Sequence, residues 1–169
     1  IHLNWPNSYN HSRRGAESGK NKKYSIKVNE IETFFAKAFS YYQQSSLIDL
    51  RMESMKGLFD GSKNLYIHAD AALEMRDAIL FAKKNQIKKG VIVGGEEALA
   101  ISNLLVEYNI AVILNRVHRL PNIQDSPIDE PFTQAKKLQE NGVLFCLSYE
   151  GDMEAMGARN LPFTAGTTV

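Results

Sequence analysis

The sequence predicts an α/β domain built on parallel strands, and two features of its second half support this class. Four short apolar runs rich in Val, Ile and Leu occur there, and stretches with helical periodicity separate them. Continuous apolar runs are typical of strands that are buried on both faces of a sheet. Strands that alternate with helices pair in parallel through right-handed crossovers. The spacing therefore predicts either an open doubly wound sheet or part of a (β/α)8 barrel.

The first 45 residues predict a loop followed by one amphipathic helix. Residues 10–23 are rich in Gly, Ser and charged side chains, which is typical of a loop. In the helix, apolar residues recur at positions i, i+3, i+4 and i+7, and Asn29 is the expected cap. The apolar positions are Ile31, Phe34, Phe35 and Ala38. We place a domain boundary after residue 45 and assign residues 46–169 to the βα repeats.

The βα repeats follow a second predicted helix at about 48–59, which ends at the turn sequence DGSKN. The four predicted strands cover about 64–68, 90–94, 111–115 and 143–148. The helices between them are expected to start where acidic residues suit the positive end of the helix dipole. They are predicted at 71–84 with Asp70 as cap, after Glu96 and Glu97, and at about 131–140.

Composition limits the classes of function. The 169 residues include 20 Lys and Arg against 19 Asp and Glu, which gives a net charge of +1. That balance argues against a nucleic-acid partner or a membrane-surface role, because both need a strong basic excess. No apolar run approaches the roughly 20 residues that span a bilayer. The single cysteine, Cys146, excludes an internal disulfide, and its apolar surroundings predict a buried structural thiol.

Four segments that follow predicted strands carry the candidate functional residues. In both architectures the carboxyl ends of parallel strands form the functional edge, so these segments are expected to meet at one rim. They are His68, the turn Gly94–Glu96, the basic group Arg116, His118 and Arg119, and the acidic group Glu150, Asp152 and Glu154.

The first two candidates each allow two interpretations. His68 is either a metal ligand through one imidazole nitrogen or a hydrogen-bonded structural side chain. The glycines of Gly94–Glu96 either let an anion approach backbone amides at a helix start or make a plain tight turn. The turn lacks the full G-x-G-x-x-G pattern of a dinucleotide site, and one histidine does not make a metal site.

The charged groups also allow two interpretations each. Arg116, His118 and Arg119 either hold a carboxylate or phosphate or belong to a solvated loop. Glu150 and Asp152 either ligate metal or exchange protons, or belong to an acidic surface loop. No Ser-His-Asp or Cys-His arrangement stands out in the sequence.

The sequence YIHAD at 66–70, with DAILFAKKNQIKKGVIVGGEEALAISNLLVEYNIAVIL after it, resembles the second half of the amidohydrolase superfamily barrel. The similarity is greatest to imidazolonepropionase-related and dipeptidase-like members. RNLPFTAGTTV also resembles the stretch that leads into the last barrel helix of that family. The resemblance covers about residues 62–169, and it makes the four predicted strands barrel strands five to eight.

The resemblance implies that the parent protein is a metal-dependent hydrolase that cleaves C–N bonds in small amides or cyclic amides. Zinc is the expected metal of the parent, and this fragment holds either that metal or none. His68 falls on the strand-five metal ligand, and Glu150 or Asp152 would accept a proton from the metal-bound water. The basic group after the third predicted strand would contact substrate. Two positions depart from the family pattern: a Gly at 94 or 95 replaces a second His, and Tyr149 replaces an Asp.

These departures leave other functions open. One is a degenerate barrel that binds a small ligand or a protein partner without chemistry, and another is an open-sheet domain that binds an anion at Gly94–Glu96. The strand-one His pair and the strand-four ligand of the family would lie outside this chain, so we expect an inactive fragment of a longer protein. Exposed strand edges and barrel-interior side chains predict a homo-oligomer. The resemblance implies a periplasmic or secreted location.

Overall fold

The computed structural model describes residues 1–10, 19–44, 47–115, 117–121, 125–149 and 157–168. Within these residues, five strands form one parallel sheet and two short strands form an antiparallel pair. The parallel strands are β1 (His2–Asn4), β4 (Leu65–Ala69), β5 (Gly90–Gly94), β6 (Ala111–Leu114) and β7 (Phe145–Leu147). The antiparallel pair is β2 (Tyr9–Asn10) with β3 (Gly19–Lys20).

Helices connect the parallel strands. Between β3 and β4 lie α1 (Tyr24–Gln43), α2 (Leu50–Glu53) and α3 (Lys56–Asp60). After β4, β5 and β6 come α4 (Ala72–Lys84), a 3-10 turn (Ala98–Ile101) with α5 (Ser102–Glu107), and α6 (Glu130–Glu140). A 3-10 turn (Ala158–Asn160) and α7 (Leu161–Gly166) follow β7. In the described ranges, no helix combines the length and the apolar character needed to cross a membrane.

The strand order determines the architecture. The sheet runs β1-β4-β5-β6-β7, and every neighbouring pair is parallel. Since these strands follow chain order without reversal, right-handed crossovers place their connecting helices on the same face of the sheet. A doubly wound sheet needs a reversal of order, which puts helices on both faces. The arrangement is therefore that of successive units of a (β/α)8 barrel, which confirms the predicted fold class.

The two faces of the sheet differ in burial. Ile67, Ile92 and Val112 point toward the helices and are fully buried. Neighbouring positions point the other way, and these residues are half-buried or exposed. We call this second surface the open face; it consists of His2, Asn4, Tyr66, His68, Val91, Val93, Ala111, Ile113 and Cys146. The inference that both faces are buried is thus wrong for this chain, because an apolar run does not show whether its second face is covered.

Cys146 is exposed, so the prediction of a buried thiol is also wrong. The residue pairs in register with Ile113 in the neighbouring strand, and both side chains belong to the open face. Phe145 and Leu147 point to the helix side and pack against the core. The apolar neighbours that suggested burial of Cys146 lie on the opposite side of the strand.

β1 is a strand that the sequence analysis did not predict. It pairs with β4 in the register Leu3 to Ile67 and Asn4 to His68, and the Trp5 amide extends the pairing to the His68 carbonyl at 3.1 Å. The first 45 residues therefore contribute a strand to the same sheet as the βα repeats.

The predicted helix starts differ from the observed ones at two places. α1 begins before Asn29, because Asn21 accepts hydrogen bonds from the amides of Lys23 and Tyr24 and forms the turn that starts the helix. Asn29 therefore lies inside α1. The predicted helix at 48–59 is divided into α2 and α3, and the Asp49 carboxylate caps α2 by accepting from two of its amides.

Stability should depend strongly on the helix-covered face. Ile92 is completely buried between the sheet and the helices, whereas Ile128 is 75% exposed in a loop. We expect Ile92→Ala to lower the free energy of unfolding by about 2–5 kcal/mol, since it removes buried methyl groups and leaves a cavity. The matched change Ile128→Ala should alter it by less than about 0.5 kcal/mol. Urea denaturation followed by circular dichroism measures both, and equal effects would contradict this core assignment.

Candidate functional site

The carboxyl ends of the strands form one continuous rim. Backbone hydrogen bonds join the first residue past a strand to the last residue of the neighbouring strand that precedes it in the chain. The amide of Gly95 donates to the carbonyl of Ala69 at 3.0 Å, and the amide of Ser148 donates to the carbonyl of Leu114 at 2.8 Å. The Ser148 hydroxyl also donates to the side-chain oxygen of Asn115 at 3.3 Å. Within the described residues, the structure thus places the ends of β4 and β5 and the residues Asn115 and Ser148 along one edge.

His68 lies in β4 and points to the open face, where it meets a second imidazole. Its Nε2 atom is 2.9 Å from Nδ1 of His2 in β1. The two ring centroids are 5.2 Å apart, and the rings are tilted by 39°. His2 also stacks on Tyr66, with the ring centroids 4.9 Å apart and the rings inclined by 16°. Two neutral imidazoles can share one N–H···N hydrogen bond in this geometry, or they can present two nitrogen donors to a ligand.

Sequence reasoning missed His2 because it did not recognise β1 as a strand. The short stretch HLNW alternates polar and apolar residues, which is the pattern of a half-buried strand. In the numbering that the resemblance implies, β1 takes the place of barrel strand four, next to strand five. The expectation that the strand-four ligand lies outside this chain stays a prediction.

A cleft of about 680 Å³ opens beside His68 at the ends of β1, β4 and β5. Four carboxylates contribute to its walls, together with the side chain of Trp5 and that of Asn4. The carboxylates are Asp70, Glu74, Glu96 and Glu97. Because negatively charged carboxylates repel an anion and attract a cation, the cleft favours a cationic or neutral polar ligand.

Two of these carboxylates also hold the walls together. Glu74 is buried, and its Oε1 atom accepts from both the amide and the hydroxyl of Ser8, at 2.6 and 2.9 Å. Glu97 accepts from the amide of Ala72 at 2.8 Å and so satisfies the first turn of α4. Asp70, the predicted cap, does not perform this role, since Ala71 occupies the cap position without a side-chain bond.

Two successive hydrogen bonds link Trp5 through Tyr24 in α1 to Asp77 in α4. Its indole nitrogen donates to the hydroxyl of Tyr24 at 3.1 Å, and that hydroxyl donates to Asp77 at 2.9 Å. Burial, together with the neighbouring Asp77, raises the pKa of Tyr24 to about 12. The phenol therefore stays protonated over the usual pH range and keeps both hydrogen bonds, which hold the Trp5 wall of the cleft.

Gly94 is one of the two positions, with Gly95, at which the resemblance places a second metal-binding His. Its φ of +110° is unfavourable for other residues, and a Cβ atom there would collide with the Oδ1 atom of Asp70. The Asp70 carboxylate therefore occupies the space next to the end of β5 that a side chain would need. A His at position 94 would therefore require Asp70 to move.

The turn after β5 is anchored from outside the cleft. Gln134 in α6 is buried, and its side-chain nitrogen donates to the carbonyls of Gly95 at 2.8 Å and Glu96 at 3.0 Å. Arg119 donates to the Glu96 carbonyl at 3.2 Å, and its guanidinium lies 3.6 Å from the Glu96 carboxylate. The two glycines are therefore explained by a tight turn whose carbonyls accept hydrogen bonds from Gln134 and Arg119. The carboxylates beside the turn do not favour anion binding there.

The structure separates the basic candidates. Arg119 lies against the turn after β5, whereas Nε2 of His118 is 2.7 Å from the Thr167 hydroxyl beyond α7. His118 is exposed, and its ring lies 5.5 Å from that of Phe132 in α6. Their role in substrate binding stays a prediction. The remaining candidates, Arg116, Glu150, Asp152 and Glu154, lie outside the described residues.

No protein-family model and no curated protein matches the sequence. Among solved structures, the chain is similar to the crystal structure of an amidohydrolase from Thermotoga maritima MSB8, with a TM-score of 0.64 and 22% sequence identity. The match covers 83% of this chain and 38% of that chain, so this chain spans little more than a third of its neighbour's length. The similarity supports a barrel-type α/β fold. The narrower imidazolonepropionase-related and dipeptidase-like assignment stays a prediction.

The contact between position 94 and Asp70 can be measured with a double-mutant cycle. We expect Gly94→Ala to lower the free energy of unfolding by at least about 2 kcal/mol, because it adds both backbone strain and a collision. In Gly94→Ala/Asp70→Ala the collision is gone, so the loss should be smaller than the sum of the two single losses by about 1 kcal/mol or more.

Gly142→Ala is the control for backbone strain, since Gly142 has a φ of +76° and its Cβ would have open space. It should cost about 1 kcal/mol, which is the strain alone. Urea denaturation measures all four variants. Additive losses in the cycle would show that the carboxylate does not fill the space at position 94.

Proposed function

We propose that this chain forms part of a metal-dependent hydrolase that cleaves C–N bonds in small amides or cyclic amides. The observation that carries the proposal is the position of His68. Its imidazole projects from the carboxyl-terminal part of β4 onto the open face, next to the imidazole of His2 and beside the carboxylate-lined cleft. Barrel enzymes place their chemistry at this end of the strands.

The donor atoms present fit part of a zinc site. Imidazole nitrogen is a preferred zinc ligand, and His68 together with His2 offers two such nitrogens. Among the residues that the structure describes, no group of three or more His, Cys, Asp or Glu side chains is arranged to hold an ion. Further ligands would therefore be water or side chains outside the described ranges, and Glu150 and Asp152 follow β7 in the sequence.

The chemistry divides between the metal and the protein. A bound zinc ion lowers the pKa of water toward neutrality, which supplies the nucleophile for amide hydrolysis. The carboxylate of Glu150 or Asp152 would accept the proton of that water. The cleft walls would orient a neutral or cationic amide, and Arg119 would hold the turn that carries Glu96.

A second function is favoured by the packing at Gly94. Asp70 fills the space beside Gly94, one of the two positions where the resemblance expects another histidine, so the rim has its shape without a complete set of ligands. The chain would then belong to a degenerate barrel that binds a small ligand or a protein partner without chemistry. Metal binding separates the two functions, because only the hydrolase requires it.

We expect the full chain to retain about one equivalent of zinc after equilibrium dialysis, as measured by elemental analysis. His68→Gln should lose most of that zinc, since the strand-five ligand is gone. His118→Gln is the matched control, because His118 is an exposed imidazole that bonds elsewhere, and it should retain the metal. A wild-type chain that holds no zinc would overturn the hydrolase proposal and support the degenerate barrel.

We also propose that two copies of this chain pair through the open face. This face carries half-buried apolar side chains such as Val93 and Ile113, and among the described residues β1 and β7 are the outer strands of its sheet. Light scattering at tens of micromolar should give the mass of a dimer. Ile113→Asp should shift the mass toward the monomer, whereas Ile128→Asp in an exposed loop should not. A wild-type monomer at that concentration would contradict the pairing.

A further inference from the structure

We propose that the cleft at the ends of β1, β4 and β5 binds a small ligand through a primary ammonium group, and that the carboxylate of Glu74 in α4 accepts a hydrogen bond from this group. The ammonium site involves no metal ion. Taken with the proposed function, the ligand is a small amide that carries an ammonium group on a short alkyl chain. The amide part rests on the proposed function, whereas the ammonium site stands without it.

Glu74 is a carboxylate that the fold buries almost completely while one of its oxygens stays available. Only 6% of the residue is exposed. Its Oε1 atom accepts from both the amide and the hydroxyl of Ser8. Among the described residues, no hydrogen bond reaches its Oε2 atom, and none of them leaves a fully buried side-chain oxygen without a partner. Oε2 is therefore open to solvent, and the solvent-filled space that Glu74 lines is the cleft.

The charge of Glu74 is not matched by a cation of the described residues. Ser8 contributes two neutral donors, and no ion pair within the described ranges includes Glu74. Burying a charge without a counter-ion costs free energy, and a cation that enters the cleft reduces this cost. The anchoring of Ser8 uses only Oε1, so it does not explain why a second oxygen faces the cleft.

The other walls of the cleft also favour positive charge. Asp70, Glu96 and Glu97 line it, and its described lining contains no Lys or Arg. Arg119 offsets part of this charge, because its guanidinium lies 3.6 Å from the carboxylate of Glu96. The remaining carboxylates keep the potential of the cleft negative, which attracts a cation and raises its local concentration.

The geometry at Glu74 favours an ammonium group over a guanidinium group. A guanidinium binds a carboxylate best through two parallel hydrogen bonds, one to each oxygen. At Glu74, Ser8 already occupies Oε1, so Oε2 alone faces the ligand. An ammonium group is a compact charge that needs one oxygen of this carboxylate, and its other N–H groups can donate to water or to the neighbouring walls.

The cleft has room for a short chain that ends in an amide. Its volume of about 680 Å³ lies within the roughly 300–1,000 Å³ typical of small-molecule sites. Trp5, Ala69 and Ala71 also line it, and their apolar atoms suit the methylene groups of an alkyl chain. His68 lines the same cleft, so one ligand can place its ammonium group at Glu74 and its amide toward His68.

Three matched amides test the proposal on the full wild-type chain. The probe δ-aminovaleramide carries an ammonium group, hexanamide has a methyl group in its place, and δ-guanidinovaleramide has a guanidinium group. Titrations followed by ¹H–¹⁵N NMR, with EDTA present and at fixed ionic strength, give each dissociation constant without metal. We expect δ-aminovaleramide to bind at least about tenfold more tightly than hexanamide, because it adds a hydrogen bond between charged groups. It should also bind more tightly than δ-guanidinovaleramide and shift the signals of the Ser8 amide and the Trp5 indole.

Two substitutions separate Glu74 from the general charge of the chain. Glu74→Gln removes the charge at nearly constant size, and it should weaken binding of δ-aminovaleramide at least about tenfold while leaving that of hexanamide unchanged. Glu107→Gln is the matched control, since Glu107 is an exposed carboxylate at the end of α5 and does not line the cleft. It should bind δ-aminovaleramide as the wild type does, and circular dichroism checks the fold of both variants.

The outcomes separate this inference from the proposed function. The inference is overturned if δ-aminovaleramide does not bind, if it binds no better than either of the other amides, or if folded Glu74→Gln binds it as tightly as the wild type. The hydrolase proposal then stands. A wild-type chain that holds no zinc overturns the hydrolase proposal and leaves the ammonium site in place, because these titrations contain no metal. If Glu74→Gln does not fold, the comparison of the three amides on the wild type decides.

Discussion

The structure depends on one constraint, the parallel pairing of β1, β4, β5, β6 and β7 in that spatial order. Right-handed crossovers between these strands place the helices on one face, and the core forms between the helices and the sheet. The opposite face then carries Val, Ile, His and Tyr side chains that no described helix covers. Both the fold and the candidate site follow from this asymmetry, because His68 and His2 lie on the open face while the carboxylate cleft lies at its rim.

The repeating part of the fold could be predicted because its signals are local. The runs that became β4 to β7 are apolar, and α4 has a clear periodic stripe, so each element is recognisable within its own segment. β1 has three residues, and its place in the sheet depends on pairing with a segment more than sixty residues away. The same limit explains Cys146: composition predicts a strand, whereas burial depends on what covers each face.

The candidate site was predictable only in part, for a similar reason. Topology alone places His68 and the turn after β5 on one rim, since parallel strands end at the same edge. The contact between His2 and His68, the buried Glu74 and the anchoring of the turn by Gln134 join segments that are distant in sequence. Such contacts depend on the exact register of neighbouring strands, and a shift of one residue would turn His2 to the other face.

The rim around His68 differs on the two sides of β4. At position 94 a glycine with positive φ allows the Asp70 carboxylate to approach, and a side chain there would need a different rim. On the other side of β4, His2 needs only its place in a parallel register, which the sheet supplies without local strain. The sheet therefore holds an imidazole next to His68 on one side of β4 and a carboxylate next to the end of β5 on the other. The separation of 2.9 Å between the nitrogens of His2 and His68 is that of a hydrogen bond, so the fold holds the two imidazoles in direct contact at the edge of the cleft.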